Sequence, residues 1–361
     1  MRILHTEASP GFGGQELRIL REAEGMRGRG HEVILAIQKG GGLVKPARKA
    51  GFTVYEYSFE KKKGFKVILQ LCYLILKYRI DIVNTHSSLD AWMAGIAGKI
   101  LKRKVIRTRH LSTPIRKGLN SRLLYNALAD QVVTTCAEVV DIICRQAQLP
   151  AKQCCSIPTG IAPFSVKEKE VTSFRKSLGI KPEECLVGTL CVLRGWKGVS
   201  DLLKAAKQLE NVPNLKWIII GSGPSEDHFK AQWKEMGLQE KVIFTGYLSP
   251  PDIALAALDI FVLLSHAHEG VSQATLQAAW LKKPLITTPT GGLKEVCLHE
   301  KTGLQVKVYS PEQVAESVKK MIENPIQRLS MGENAHAHVQ KNFTLEHTLD
   351  QMEAIYREFF Q

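Results

Sequence analysis

Short apolar runs alternate with amphipathic stretches of roughly 10–15 residues along the whole chain, and this rhythm constrains the fold more than any other feature. Residues 2–6, 31–37, 52–57, 80–86, 104–110, 131–136 and 153–161 read as strands, and 15–29, 65–78 and 89–101 as helices among them. After a polar break at 165–172 the pattern restarts, with strands read at 185–193, 214–223, 241–247, 259–265, 283–288 and 303–308. The runs lack period-2 alternation, as expected of parallel strands covered on both faces. A chain of 361 residues fits two domains at roughly 150 residues each. The pattern predicts two doubly wound α/β domains, 1–163 and 164–344, with a final helix at 345–361 that packs back on the first.

The opening residues MRILHTEASPGFGG hold no apolar core of a secretory leader, and the longest apolar run, 67–76, is short of the ~20 residues a membrane span needs. The eight cysteines form no C-x-x-C pair, which predicts reduced thiols filling the core in a cytoplasmic setting. Net charge is the anomaly. The chain carries +14, and residues 1–163 hold 26 basic against 12 acidic side chains, whereas the remainder holds 23 of each. Nucleic acid is a poor account of this excess, because no recognised binding motif or aromatic interleaving accompanies it.

Two turns stand out. Ser9-Pro10-Gly11-Phe12-Gly13-Gly14-Gln15-Glu16 follows a strand and opens a helix. It is either a tight turn or a loop whose bare backbone approaches a phosphate or sugar. It is not G-x-G-x-x-G, strand two ends without an acidic residue, and no P-loop occurs, so dinucleotide and P-loop sites are excluded. The second, Ser265-His266-Ala267-His268-Glu269-Gly270-Val271-Ser272-Gln273, leads from a strand into a helix bearing Gln277. Glu269 and Gln277 lie about 12 Å apart at 1.5 Å per residue, a spacing that can hold two parts of one elongated ligand. The N–H groups of Val271, Ser272 and Gln273 are helix-start donors suited to a diphosphate or sugar hydroxyls.

Together with further segments, these residues resemble glycosyltransferase family 4, retaining, nucleotide-sugar-dependent enzymes of the GT-B fold. Trp217-Ile218-Ile219-Ile220-Gly221-Ser222-Gly223-Pro224 resembles the family's strand and G-x-G-P, and Val242-Ile243-Phe244-Thr245-Gly246-Tyr247 its V-x-F-x-G segment. Glu269 to Gln277 resembles E-x7-E, and Gly291-Gly292-Leu293-Lys294-Glu295 resembles G-G-x-x-E. In the first half, Gly13-Gly14-Gln15-Glu16, Asp81-Ile82-Val83-Asn84-Thr85-His86 and Thr108-Arg109-His110 match G-G-x-E, D-[IV]-V-x-x-H and T-x-H.

The resemblance implies two Rossmann-like domains facing across a cleft, with the acceptor on the first and the donor on the second. It implies that Glu269 bonds donor-sugar hydroxyls while Gly270, Val271, Ser272 and Gln273 hold sugar and distal phosphate through N–H groups. Lys197 would neutralise the diphosphate, with Arg194 as helper, and Gly246, Tyr247 and Leu248 would border the nucleobase, near Gly221. Gly13 and Gly14 would face the diphosphate, Glu16 the acceptor, and His110 the reacting side of the sugar. Two positions depart from the pattern. Gln277 stands for the Glu that grips the ribose, losing a charge-assisted bond. Val192 stands where the phosphate-binding Arg is usual.

No D-x-D occurs, so no metal and no other cofactor are expected. Lys197, Arg194 and the helix start would stabilise the departing diphosphate, and its oxygen would take the acceptor's proton in a front-face reaction. The basic clusters, Lys61-Lys62-Lys63 with Lys66, Lys102-Arg103-Lys104 with Arg107 and Arg109, and Arg116-Lys117, suggest an anionic membrane surface as partner. Apolar Phe65, Val67, Ile68, Leu69 and Leu71 lie beside the first cluster. The expectation is a hexosyltransferase using a UDP-sugar and a glycan or lipid-linked acceptor in lipopolysaccharide or envelope polysaccharide assembly. It would be peripheral on the inner face of the plasma membrane. A nucleotide-sugar 2-epimerase and a non-catalytic sugar-nucleotide-binding subunit are the competing expectations.

Overall fold

The structure, a computed structural model, describes residues 1–110 and 114–360. The chain divides into two compact units, 1–160 with 345–361, and 161–344, so the division falls three residues before the expected one.

The first unit is a seven-stranded sheet. In chain order its strands are β1 (Arg2–Glu7), β2 (Glu32–Gln38), β3 (Thr53–Tyr57), β4 (Ile82–Thr85), β5 (Lys104–Arg109), β6 (Gln131–Thr134) and β7 (Cys154–Ser156). The spatial order is β3-β2-β1-β4-β5-β6-β7, and every pairing is parallel. Successive residues serve opposite cores, which is why the runs are apolar throughout. Ile3 packs with Ile19, Met26 and Met352, while Leu4 packs with Val67, Leu71 and Ala94. The second unit holds β8 (Cys185–Leu190), β9 (Leu215–Ile220), β10 (Val242–Gly246), β11 (Ile260–Leu263), β12 (Leu285–Thr287) and β13 (Gly303–Gln305). Their order is β10-β9-β8-β11-β12-β13, again all parallel. Strand order reverses between β1 and β4 and between β8 and β11. In open parallel sheets, ligands bind beyond the carboxyl ends of strands at such reversals.

The Leu345–Glu358 helix belongs to the first unit. It buries Leu349, Met352 and Tyr356 against that core, and Arg29 reaches Glu346, Asp350 and Glu353. Its acidic residues alter the charge division. The first unit holds 27 basic and 16 acidic residues, a net +11, and the second 22 and 19, a net +3.

Two expectations about the basic surface need correction. In the Gly64–Lys77 helix, Val67 and Leu71 are core residues. Their burial stabilises the fold by roughly 1.5–3 kcal/mol each and leaves them unable to meet another surface. Arg107 is buried, and its Nη1 donates to the carbonyls of Thr85 and Thr108. It is not part of a surface cluster. Among the described residues no helix is long and apolar enough to cross a membrane.

Candidate functional site

In the second unit, the loops leaving β8 and β11 carry most of the predicted donor residues. Beyond β8 the chain passes Val192 and Arg194, turns at Gly195–Lys197 and reaches Gly198 with φ +71°. A Cβ on Gly198 would stand 2.1 Å from the Leu264 carbonyl oxygen, so only glycine lets the loops after β8 and β11 close together. That approach joins Lys197 to Glu269: the Lys197 ammonium donates a short hydrogen bond to Glu269 Oε1, which also accepts from Ser265 Oγ at 2.6 Å. Glu269 is 5% exposed, so its carboxylate needs these partners. Its carbonyl accepts from Gly292 N–H at 3.2 Å, and a Cβ on Gly292 would lie 2.4 Å from the nitrogen of Val271. The G-G-x-x-E segment thus supports the loop of Glu269, Gly270 and Val271 from behind.

The Gln273–Trp280 helix follows, with Ser272 Oγ accepting from Thr275 N–H, and Gln277 is buried on it. Gly221 and Gly246 meet through a 2.9 Å backbone bond, Tyr247 is exposed, and Leu248 packs on the core of this unit. Arg194 is exposed, its guanidinium 5.2 Å from the Trp196 ring centre.

Several residues here escaped the sequence reading. Asp201 Oδ2 accepts from His266 Nε2 at 2.6 Å, His266 N–H donates to the Trp196 carbonyl at 2.7 Å, and the Tyr309 ring lies 3.8 Å from that of His266. Sixty-five positions separate Asp201 from His266, and no local spacing announces the pair.

In the first unit the corresponding reversal gathers the ends of β1 and β4. Glu7, the last residue of β1, accepts from Ser9 N–H at 2.7 Å, from Gln15 Nε2 at 2.5 Å and from Ser87 Oγ. These bonds tie the glycine loop to the start of the Ser88–Ile100 helix. Glu16 Oε2 accepts from Gly13 N–H at 2.7 Å, so its carboxylate caps its own helix. A Cβ at Gly14 would meet nothing within 4 Å, and one at Gly13 only Glu16 Oε2 at 3.7 Å. Packing does not demand glycine at either position.

Asp90 Oδ2 accepts from Thr6 Oγ1 and His86 N–H, and Oδ1 from Ser87 N–H. Burial, then the charge of Glu7, pushes Asp90 up to about 7. Burial likewise raises Glu7. The spacing Ser87-Ser88-Leu89-Asp90 is a capping-box signal that could have revealed Asp90.

His110, just past β5, lies 3.0 Å from His86 through Nε2 and Nδ1, and His86 Nε2 lies 2.9 Å from His5 Nδ1. Burial holds all three below the usual imidazole range, His86 and His110 well below it. A hollow of about 490 Å³ near this edge is lined by Ser88, Trp92, Arg109, Arg116, Lys117 and Tyr125. Arg109 Nη1 donates to Tyr125 OH there at 2.8 Å.

Comparison with known proteins agrees with this layout. Residues 12–163 match the pattern of Glycosyltransferase Family 4, and residues 170–338 that of Glycosyl transferases group 1. The N-acetyl-alpha-D-glucosaminyl L-malate synthase of Bacillus anthracis is 24% identical over 321 residues, covering 84% of this chain and 82% of that protein. The capsular polysaccharide biosynthesis glycosyltransferase CapM of Staphylococcus aureus is 24% identical over 321 residues, covering 82% and 81%. The crystal structure of Anabaena HepE in complex with UDP-glucose superposes with a TM-score of 0.88 at 20% identity, covering 99% of this chain and 100% of that one.

Proposed function

The chain belongs to glycosyltransferase family 4 and is an enzyme of the GT-B fold, and on that footing we propose that it transfers a hexose, with retention and without a metal, from a UDP-sugar to a glycan or lipid-linked acceptor. The observation that carries this reading is the contact of Lys197 with Glu269 at the β8–β11 reversal. An ammonium held there can turn to a diphosphate while its carboxylate partner turns to sugar hydroxyls. Charge building on the leaving phosphates is stabilised by Lys197, by Arg194 and by the N–H groups of Gly270, Val271, Ser272 and Gln273. The leaving oxygen takes the acceptor's proton. Gly246, Tyr247, Leu248 and Gln277 serve base and ribose, near Gly221.

The room beside Gly13 and Gly14 favours a loop kept bare for a ligand over a merely tight turn. In this reading Gly13 and Gly14 serve the diphosphate, His110 the sugar, and Glu16 shapes the acceptor loop through its cap. The bound UDP-glucose of HepE supports a uridine donor. CapM's part in capsular polysaccharide biosynthesis supports an envelope polysaccharide product, and lipopolysaccharide is the other product class of this reading.

A thermal-shift panel of nucleoside diphosphates and their sugars tests the donor, since a ligand at 100 times its Kd stabilises by about 2.7 kcal/mol. Release of UDP from UDP-sugar alone separates an enzyme from a pure binder, and an epimerised donor would reveal the competing isomerase. Turnover lost in EDTA and restored by manganese would overturn the metal-free mechanism.

We place the enzyme on the inner face of the plasma membrane, docked through the Gly64–Lys77 helix. Phe65, Leu69, Tyr73 and Leu76 are 77%, 54%, 64% and 55% exposed and recur along one stripe of the helix. The exposed lysines 61–63, 66 and 77 flank that stripe. An exposed apolar stripe bordered by lysines suits an anionic leaflet. Equal co-sedimentation with neutral and anionic vesicles would defeat this placement.

A further inference from the structure

His5, His86 and His110 form a staircase across three neighbouring strands. His5 is level with Asn84 on β4, and Asn84 is level with Ile106 on β5. His86 lies two residues beyond Asn84, and His110 four beyond Ile106. Each imidazole therefore stands one two-residue step nearer the carboxyl edge than the one before, on the same face of the sheet. The ring centres are 5.2 Å apart at both steps, and the nitrogens meet at 2.9 and 3.0 Å.

We propose that these three histidines act as one hydrogen-bonded unit that fixes the tautomer of His110, so that Nε2 carries the proton and Nδ1 offers its lone pair to a substrate hydroxyl. His86 and His5 are positioning residues in this unit. The proposal rests on the reading that His110 serves the sugar.

The argument begins with charge. Burial keeps each ring neutral at pH 7. A neutral imidazole has one N–H and one lone pair, so both hydrogen bonds must run in the same direction. Either His110 donates to His86 and His86 to His5, or the reverse. The surrounding field selects the first. The Glu22 carboxylate acts on His5 at one end, whereas the guanidinium of Arg107, with that of Arg18, which is itself paired with Glu22 at 3.7 Å, acts on His86 and His110 at the other. A row of aligned N–H dipoles turns its proton end toward the carboxylate and its lone-pair end toward the cations. The chosen direction puts a proton on His5 Nε2, which is buried without a hydrogen-bond partner among the described residues, and the reverse would leave a lone pair unmatched there, so this end of the row does not decide between the two. At the other end, Thr135 Oγ1 donates to the His110 carbonyl at 3.1 Å and anchors the residue. Nothing among the described residues bonds to His110 Nδ1.

Long-range proton–nitrogen correlation spectra of uniformly 15N-labelled protein at pH 7.5 test the unit without a mutation. Nε2–H at His110 and at His86 is expected. Nδ1–H at His110, or a mixture of tautomers, would overturn the proposal. In His86→Phe the His110 signal should become a mixture, with kcat falling roughly 10- to 100-fold, the scale on which groups orienting a functional histidine act, and KM for the donor changing less than about twofold. His86→Gln, whose amide both donates and accepts, should recover part of the loss. His5→Phe should give a smaller loss of the same kind. Normal turnover in His110→Ala, with the expected spectrum in the wild type, would remove the substrate role and leave only a structural hydrogen-bonded row.

Discussion

The two units share one architecture but bury polarity in different ways. At the β8–β11 reversal, an ammonium meets a carboxylate directly, Lys197 with Glu269, and His266 hydrogen-bonds Asp201. At the β1–β4 reversal, groups of like kind also lie together, three imidazoles in a row and the carboxyls of Glu7 and Asp90, beside the buried Arg18–Glu22 ion pair. Groups of opposite charge held in contact suit an ionic ligand. Like groups packed together are driven toward their neutral forms, which position hydrogens and lone pairs rather than charge. On the function proposed above, one sheet edge suits a diphosphate and the other suits hydroxyls.

The largest effect should come from breaking the ion pair. Lys197→Ala or Glu269→Ala should each lower kcat/KM by about 100- to 1,000-fold, and the double variant by far less than the product, because each single change strands the other charge. Near-normal turnover in either variant would remove the contrast between the units. Next, Gln277→Glu should restore a charge-assisted bond to the ribose and tighten UDP by about tenfold, measured by titration calorimetry. An unchanged Kd would place the nucleoside away from the Gln273–Trp280 helix.

The first unit's own signature is in its pH dependence. With Asp90 raised to about 7 and Glu7 raised beside it, the folded state binds protons that the unfolded chain has released. Asp90's contribution to stability should therefore fall as pH rises from the ordinary carboxylate range through about 7, by several kcal/mol at about 1.4 kcal/mol per pKa unit, while His5, His86 and His110, held below the usual imidazole range, oppose it by gaining stability as pH rises toward about 6.5. Arg107, Thr6 Oγ1 and the N–H groups of His86 and Ser87 favour the charged carboxylate and keep Asp90 from rising further. Asp90→Asn isolates this contribution: the melting temperature of the wild type should fall relative to that of the variant as pH rises from 5 to 8, and a constant difference would contradict it.

The smallest effect concerns Glu353, where the sign reverses. Burial raises its pKa, but hydrogen bonds from His31, Arg357 and Arg29 bring it down to about 2. Its contribution is present above the ordinary carboxylate range and is lost as pH falls toward 2. Glu353→Gln should cost at most about 1 kcal/mol at pH 7, once solvent screening is allowed for, and nothing near pH 2, read by urea unfolding.

The thirteen strands were legible because a strand buried on both faces must be apolar throughout, and the helix-bearing gaps between them allow only parallel crossovers. The β8 and β11 loops were legible because the glycines that shape them, Gly198 and Gly292, admit no side chain. The histidine row was not, because a histidine in an apolar strand such as Arg2–Glu7 looks the same whether it is isolated or one of three. The stretch beginning at Phe65 shows the same limit in another form. Its hydrophobicity was plain, but which residues entered the core depended on helical phase, which kept Phe65 and Leu69 outside and drew in Val67 and Leu71. The division of charge was misjudged for a topological reason, since the acidic Leu345–Glu358 helix lies far along the chain from the unit it completes.

That helix has a consequence for biosynthesis. The second unit is continuous in sequence and emerges whole from the ribosome, whereas the first must wait, through 184 further residues, for Leu349, Met352 and Tyr356. Until they arrive, Ile19, Ala23 and Met26 lack their cover and Glu22 lacks the Tyr356 hydroxyl that donates to it at 3.2 Å. The domain translated first is therefore the last to be sealed, and a nascent chain halted before Leu345 presents an open apolar groove to chaperones and proteases.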